Sequence, residues 1–316
     1  MKGLFNIRYL RFKTVLLLGI VLLLVSACTN TKVVLSFVYN RLDNQIRSEF
    51  NKLGKFDRSQ KAEFEKRLQT FHYWHRRVEL PRYVGLVSEI RNKTAAPGKT
   101  TSSDIHRWFE KIEAGTEELL SCYPAHFSTD LLRTLDNDQI NFIERRFANE
   151  QRKNIKKHNS KTREERMNKR LKEVVKWSGR IGFDLTQQQK DMLLKTMYDT
   201  ISMHKEYYAL TKPWNKRFFA TLRDKKASDY EAQLKKQMAA SYKLVDLNHP
   251  QKVEMNREIW RNFVVDFEKS LTESQRKWIN SYFGKLAGNL SLIAKDKVSF
   301  KPHGDAALGC LPNSGV

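Results

Sequence analysis

Several signatures of chemistry are missing from these 316 residues. There is no Gly-rich phosphate loop, no Gly-x-Ser-x-Gly elbow and no His-Glu-x-x-His, which excludes P-loop nucleotide binding, an α/β-hydrolase site and a zincin-type metal site. No segment alternates apolar and polar residues with period two over a strand's length, so a sheet-built domain is excluded. Cysteine is reduced to three positions, Cys28, Cys122 and Cys310. Only Val15 to Val25 is apolar without a break, and it is too short to span a bilayer, which takes about 20 residues. Acidic residues are absent from the first 27 positions, where Lys2, Arg8, Arg11 and Lys13 supply four basic ones.

What stands at the amino terminus is therefore a basic segment followed by a short apolar core, the order of a secretion signal. Directly after it come Val25, Ser26, Ala27 and Cys28. This run resembles the lipobox of bacterial lipoproteins, in which small residues fit the signal peptidase and the thiol is acylated. The resemblance implies a signal peptide over 1–27 and a mature chain beginning at a lipidated Cys28. The alternatives are an ordinary signal peptide with an incidental cysteine, or an uncleaved anchor. Several acyl chains on one residue hold a protein stably at a membrane, whereas a single chain binds marginally. Thr29, where inner-membrane lipoproteins usually carry aspartate, resembles the outer-membrane class and implies the periplasmic face of the outer membrane.

Removing 27 residues with four basic and no acidic side chain lowers the net charge from +23 to +19. So basic a surface favours anionic partners: lipid headgroups, lipopolysaccharide, wall polymers or nucleic acid, the last disfavoured by the compartment. Plain solubility is the competing explanation. In an oxidising compartment Cys122 and Cys310 can pair. Closing so long a loop stabilises by about 5 kcal/mol in the chain-entropy account. Two free thiols are the alternative.

The chain reads as all-α. One short pattern recurs four times: Phe56-Asp57-Arg58-Ser59-Gln60, Leu135-Asp136-Asn137-Asp138-Gln139, Leu185-Thr186-Gln187-Gln188-Gln189 and Leu271-Thr272-Glu273-Ser274-Gln275. Asp or Thr at the N-cap accepts a bond from a free N–H of the first turn, and Gln at N3 reaches back to the cap. Spacings of 79, 50 and 86 residues have no fixed period, which excludes a solenoid. Helical apolar steps predict helices over 31–50, 57–92, 103–121, 125–133, 136–158, 161–181, 186–210, 212–224, 228–246, 249–270 and 272–295. Pro213 and Pro250 are expected at helix starts, Pro124 in a break, and Pro81 inside a helix that it should kink, freeing the carbonyl of Arg77. The helical region spans 28–296, with a division near 160–184 left open, and an irregular tail fills 297–316.

Between Arg152 and Arg180 stand twelve Lys or Arg and three Glu. Lys169, Lys172 or Glu173, Lys176 and Arg180 share one helical face, opposite Met167, Leu171 and Val174. That face is either a landing strip for anionic lipid or polymer, or the solvated side of a core-packing helix. Aromatic residues are not interleaved, which counts against a single-strand nucleic-acid platform.

The densest cluster of chemistry is Trp74-His75-Arg76-Arg77-Val78-Glu79-Leu80-Pro81-Arg82-Tyr83. His75 and Glu79 are i,i+4 neighbours, and Glu79 lies three residues from both Arg76 and Arg82, so an ion-pair cluster is expected. Three readings compete. In the first, a kinked helix buries polar groups that satisfy one another. In the second, Arg76, Arg77 and Arg82 grip an anionic group by their planar forks. In the third, His75 is a general base oriented by Glu79. His72 and His75, three apart, lack a third ligand in phase, so no metal is expected. No cofactor is implied.

This run, following a lipobox and a first helix, resembles the signature of a family of proteobacterial lipoproteins of unknown function, Trp-His-Arg-Arg-x-Glu-Leu-Pro-Arg-Tyr. Leu-Thr-x-x-Gln caps recur downstream in that family, as at Leu185 and Leu271. Glu144 to Phe147 and the run from Glu164 to Arg180 also look like family blocks. Phe56 and Leu135 depart from the pattern in being followed by Asp. The resemblance implies a fold and a location and carries no activity. The function expected is that of a non-enzymatic envelope lipoprotein, tethered at Cys28, that binds an anionic envelope component or a protein partner. The alternative is an enzyme of wall or lipid metabolism using His75 and Glu79.

Overall fold

The computed structural model describes residues 32–126 and 129–296. The leader with Cys28 and the tail with Cys310 lie outside the described residues, as does the side chain of Cys122. Among the described residues every regular element is helical and none is a strand, so the chain is all-α. The helices are α1 (Lys32–Leu53), α2 (Arg58–Trp74), α3 (Leu80–Thr94), α4 (Ser102–His126), α5 (Thr129–Arg133), α6 (Asn137–Asn159), α7 (Arg163–Arg180), α8 (Gln187–Asp199), α9 (His204–Arg223), α10 (Tyr230–Ser241), α11 (Leu244–Asn248), α12 (Pro250–Lys269) and α13 (Glu273–Lys295).

All four expected caps form as reciprocal capping boxes at Asp57, Asp136, Thr186 and Thr272. Thr162 with Glu165 makes a further one, and Thr101 with Asp104 forms the same reciprocal pair ahead of α4. Each box contributes about 1 kcal/mol to its helix. The four Gln boxes also pair with one another. Gln60 and Gln139 exchange amide hydrogen bonds of 3.0 and 2.9 Å, and Gln189 and Gln275 do the same at 2.8 Å each way. Each Gln also donates to a carbonyl two residues ahead of its partner's cap: Thr134, Lys55, Ser270 and Asp184. The fold thus contains two copies of one knot, each made of two caps facing each other. Glutamine is required there because the side chain must accept from its own cap and also donate across the knot. A carboxylate can only accept, and the unpaired Thr162 box carries Glu165.

α2 and α3 form one helical rod interrupted by a single π turn, His75–Glu79, in which the Leu80 N–H donates to the His75 carbonyl. Two causes coincide. Pro81 has no N–H, and its ring crowds the carbonyl four residues back, so a wider turn relieves both. The apolar residues also slip phase. Counting from Leu68 at 100° per residue, Leu80, Val84 and Val87 fall about 100–160° away. One extra residue in a turn moves them back by about 100°. α3 then presents them to α13, where Leu80, Tyr282, Leu286, Leu290 and Ile293 form a buried cluster with Tyr39 of α1. α2 faces a larger core built by Phe50, Phe56, Leu68, Ile140, Phe219 and Leu222. A third cluster joins Met167, Leu193 and Met197 to Trp260 and Phe263.

Three expectations are corrected. Pro213 does not open a helix; it lies within α9. The break falls earlier, at 200–203, where Asn256 of α12 binds both the N–H and the carbonyl of Ile201 at 2.7 and 3.0 Å. Pro124 does not mark a break, since α4 runs on to His126. Pro250, by contrast, starts α12 as expected.

Candidate functional site at the π turn

The motif residues meet at the π turn, where α1, α4 and the last turn of α13 converge. His75 is 6 % exposed and its Nδ1 lies 2.8 Å from the Tyr39 hydroxyl on α1. Burial, then His72 and Arg76, push its pKa down to about 3. Burial likewise pushes the Tyr39 hydroxyl above its usual range. Both groups are neutral at pH 7, a condition under which a close pair in an apolar setting is cheap to bury.

The arginines turn outward from the turn to other elements. Arg76, buried, donates to the Ile293 carbonyl at 3.0 Å, lies 3.9 Å from the Asp296 carboxylate and stacks over the Tyr39 ring. Arg77 donates to the Ala294 and Asp296 carbonyls at 2.6 and 3.1 Å and lies over Tyr73. Helix ends leave carbonyls unpaired, and cations there are favoured by the helix dipole. The Arg76-Arg77 pair is therefore a two-pronged C-terminal cap on α13.

Glu79 is fully buried. Arg82 reaches it at 2.8 Å, and the same Nη1 binds Glu118 of α4. Burial raises the Glu79 pKa, Arg82 opposes the shift and Glu118 adds to it. Tyr83 bonds Glu79 as well, and burial together with that carboxylate raises its own hydroxyl pKa. Trp74 is wholly buried against Phe71, Val78 and Leu119. Pro81 is exposed two residues past the turn.

The expected ion-pair cluster forms in part: Glu79 pairs with Arg82, while Arg76 leaves for α13. His75 bonds Tyr39 and Glu79 bonds Arg82 and Tyr83, so the two sit in separate hydrogen-bond sets. His72 contacts Asp43 at 3.2 Å and stacks on Tyr39, so His72 and His75 have different polar partners. No group of three or more His, Cys, Asp or Glu side chains among the described residues is placed to hold a metal ion. Sequence reasoning missed Tyr39 and Glu118, the partners 36 residues from His75 and Arg82; nothing local to either residue marks it.

Outside the motif, the cationic stretch occupies the end of α6 and all of α7. α7 buries Met167 and packs Leu171 and Val174 inward, and Lys169, Lys172, Lys176 and Arg180 stand exposed on the opposite side. At the same end of the molecule His158 of α6 and His204 of α9 stack with ring centroids 3.4 Å apart. Desolvation, with Arg166 nearby, holds both imidazoles below their ordinary pKa, His204 at about 4.

A protein-family model described as a family of unknown function (DUF6279) matches residues 54–246, more than half of the chain. No curated protein and no solved structure matches.

Proposed function

The chain belongs to the family of unknown function DUF6279; since membership brings no activity with it, we propose from its own residues that it is a non-enzymatic cell-envelope lipoprotein. It is held by acylated Cys28 at the periplasmic face of the outer membrane and binds an anionic envelope component or a protein partner. The observation that carries this reading is the order of the leader: four basic residues, an eleven-residue apolar core, then Val25-Ser26-Ala27-Cys28. No helix among the described residues is long and apolar enough to cross a membrane.

The geometry of the π turn favours a binding or scaffolding protein over the enzyme. A general base works best with a pKa near the working pH, and His75 lies far below it with Nδ1 engaged by Tyr39. Its expected orienting group, Glu79, is bonded elsewhere. Arg76 and Arg77 hold the end of α13, so the motif acts as a clamp that locks the last helix to the π turn.

The test is metabolic labelling with a radioactive or alkyne-tagged fatty acid in cells producing the chain or its Cys28→Ser variant. The wild type should take up label and lose about 3 kDa of leader, at roughly 110 Da per residue over a short signal segment. The variant should do neither. Wild-type protein that stays unlabelled at full precursor mass would refute the reading, and density separation of membranes then tests the address.

A further inference from the structure

We infer that the outer face of α7, with the end of α6, is a docking surface for the phosphate headgroups of an anionic bilayer. The inference rests on the lipoprotein reading only in taking a bilayer to be within reach.

Residues 152–180 carry twelve cationic and three acidic side chains, so nine of the chain's 23 net positive charges fall on 29 residues. Elsewhere many surface cations have a carboxylate partner: Arg47 with Glu65, Arg107 with Glu89, Lys195 with Asp199, Lys252 with Glu206, Arg261 with Glu258. On α7 such pairs are sparse. Glu165 is held in the Thr162 capping box and Glu164 lies beside it in the first turn, so farther along the helix the one acid is Glu173, 4.0 Å from Lys169. Lys172 and Lys176 are exposed with no carboxylate partner among the described residues, and so are Lys156 and Lys157 on the last turns of α6.

Geometry makes the stripe a surface. Lys169, Lys172, Lys176 and Arg180 span about 16 Å of helix, at 1.5 Å per residue, on one side. The inward side is fixed by Met167, Leu171 and Val174 against α8 and α12, so the cations cannot roll inward. Arg180 lies over the Trp177 ring, 4.4 Å from its centroid, which sets an amphipathic aromatic at the edge of the charge, the arrangement found where proteins meet a membrane interface. A cationic stripe along one side of a helix matches a plane of repeated phosphates rather than one small anion. The arginine forks of the π turn, the other candidate for anions, are engaged within the fold.

Each basic group near an anionic leaflet adds about fivefold to partitioning, and salt screens it. The test uses the full chain extracted from envelopes and mixed with vesicles of phosphatidylcholine, alone or with phosphatidylglycerol. Lysine acylation rates are read by peptide mass spectrometry. Lys169, Lys172 and Lys176 should react at least about fivefold more slowly on phosphatidylglycerol vesicles, recover at high salt, and leave Lys235 and Lys277 unchanged. In the variant K172E/K176E, with an unchanged melting temperature because both positions face solvent, Lys169 should lose its protection.

Equal rates on both vesicle types overturn the inference, and so does equal slowing at Lys235 and Lys277. Protection by soluble polyphosphate without protection by phosphatidylglycerol vesicles also overturns it, in favour of a soluble polyanion. Flotation with pure phosphatidylcholine reads the acyl anchor separately. A chain that fails to float there refutes the lipoprotein reading while the lysine rates still decide the stripe.

Discussion

At the scale of single residues, the most consequential side chain is His75. In the unfolded chain it takes up a proton near pH 6.5; folded, it resists protonation until about pH 3. Between those values the unfolded state binds more protons, so the stability His75 contributes is complete above pH 6.5 and is lost as the pH falls toward 3. The loss is at most about 1.4 kcal/mol per pH unit. Glu79 leans the other way: its raised pKa contributes stability below its unfolded value near 4.5, which is lost as the pH rises through its folded value. The two are separated by His75→Gln. Urea unfolding at pH 7 and pH 4.5 should show the variant weaker at pH 7, yet losing less than the wild type on acidification. Equal losses in both proteins would show that His75 is not the group titrating. At this scale the sequence was half legible. The Glu79–Arg82 pair follows from i,i+3 spacing, but Arg76 and Arg77 found their partners on α13, 217 residues away, and local spacing has no access to such contacts.

At the scale of elements, helix starts were readable because a cap is local chemistry: the donor, the acceptor and the staple lie within five residues. Interruptions made by distant groups were not readable. Nothing in 200–203 is a helix breaker, and the gap there is held by Asn256. Pro213 sits within α9 although sequence rules move proline to helix starts. The pairing of the caps was also hidden, though a trace of it exists in the choice of Gln over Glu at N3. The paired caps carry a prediction. Gln189 and Gln275 share two hydrogen bonds, and each also bonds the loop of the other. Replacing Gln189 with Leu removes the donor to the Ser270 carbonyl, and replacing Gln275 removes the donor to the Asp184 carbonyl; either change also breaks both bonds between the two side chains and should cost about 1–3 kcal/mol. Replacing both should cost less than the sum of the single changes, with a coupling of about 0.5–3 kcal/mol, because the second loss finds its partner already gone. A double-mutant cycle from denaturant midpoints measures this. Strict additivity would mean that the two caps act alone and that the knot is only proximity.

At the scale of the whole molecule, the matched family segment and the folding unit differ. Residues 54–246 include the π turn and the first knot, but they stop before α12 and α13. Without α13, the Leu80, Val84 and Val87 face of α3 loses Tyr282, Leu286, Leu290 and Ile293. Gln189 loses Gln275, and Arg76 and Arg77 lose the carbonyls they cap. Arg276, a buried cation bonded to Glu268 and to the Thr94 carbonyl, also disappears and leaves the end of α3 uncapped. Each fully buried aliphatic side chain contributes about 1.5–3 kcal/mol, so the loss of four large ones approaches the 5–15 kcal/mol net stability of an ordinary domain. A polypeptide of residues 54–246 should therefore be expanded or aggregated, with helical far-UV dichroism but weak near-UV signal and a broad thermal transition. A polypeptide of residues 32–296 should elute compactly and unfold cooperatively. If the shorter piece proves monomeric with a sharp transition, α13 is an appendage, and the clamp built by Arg76 and Arg77 serves to hold that appendage in place.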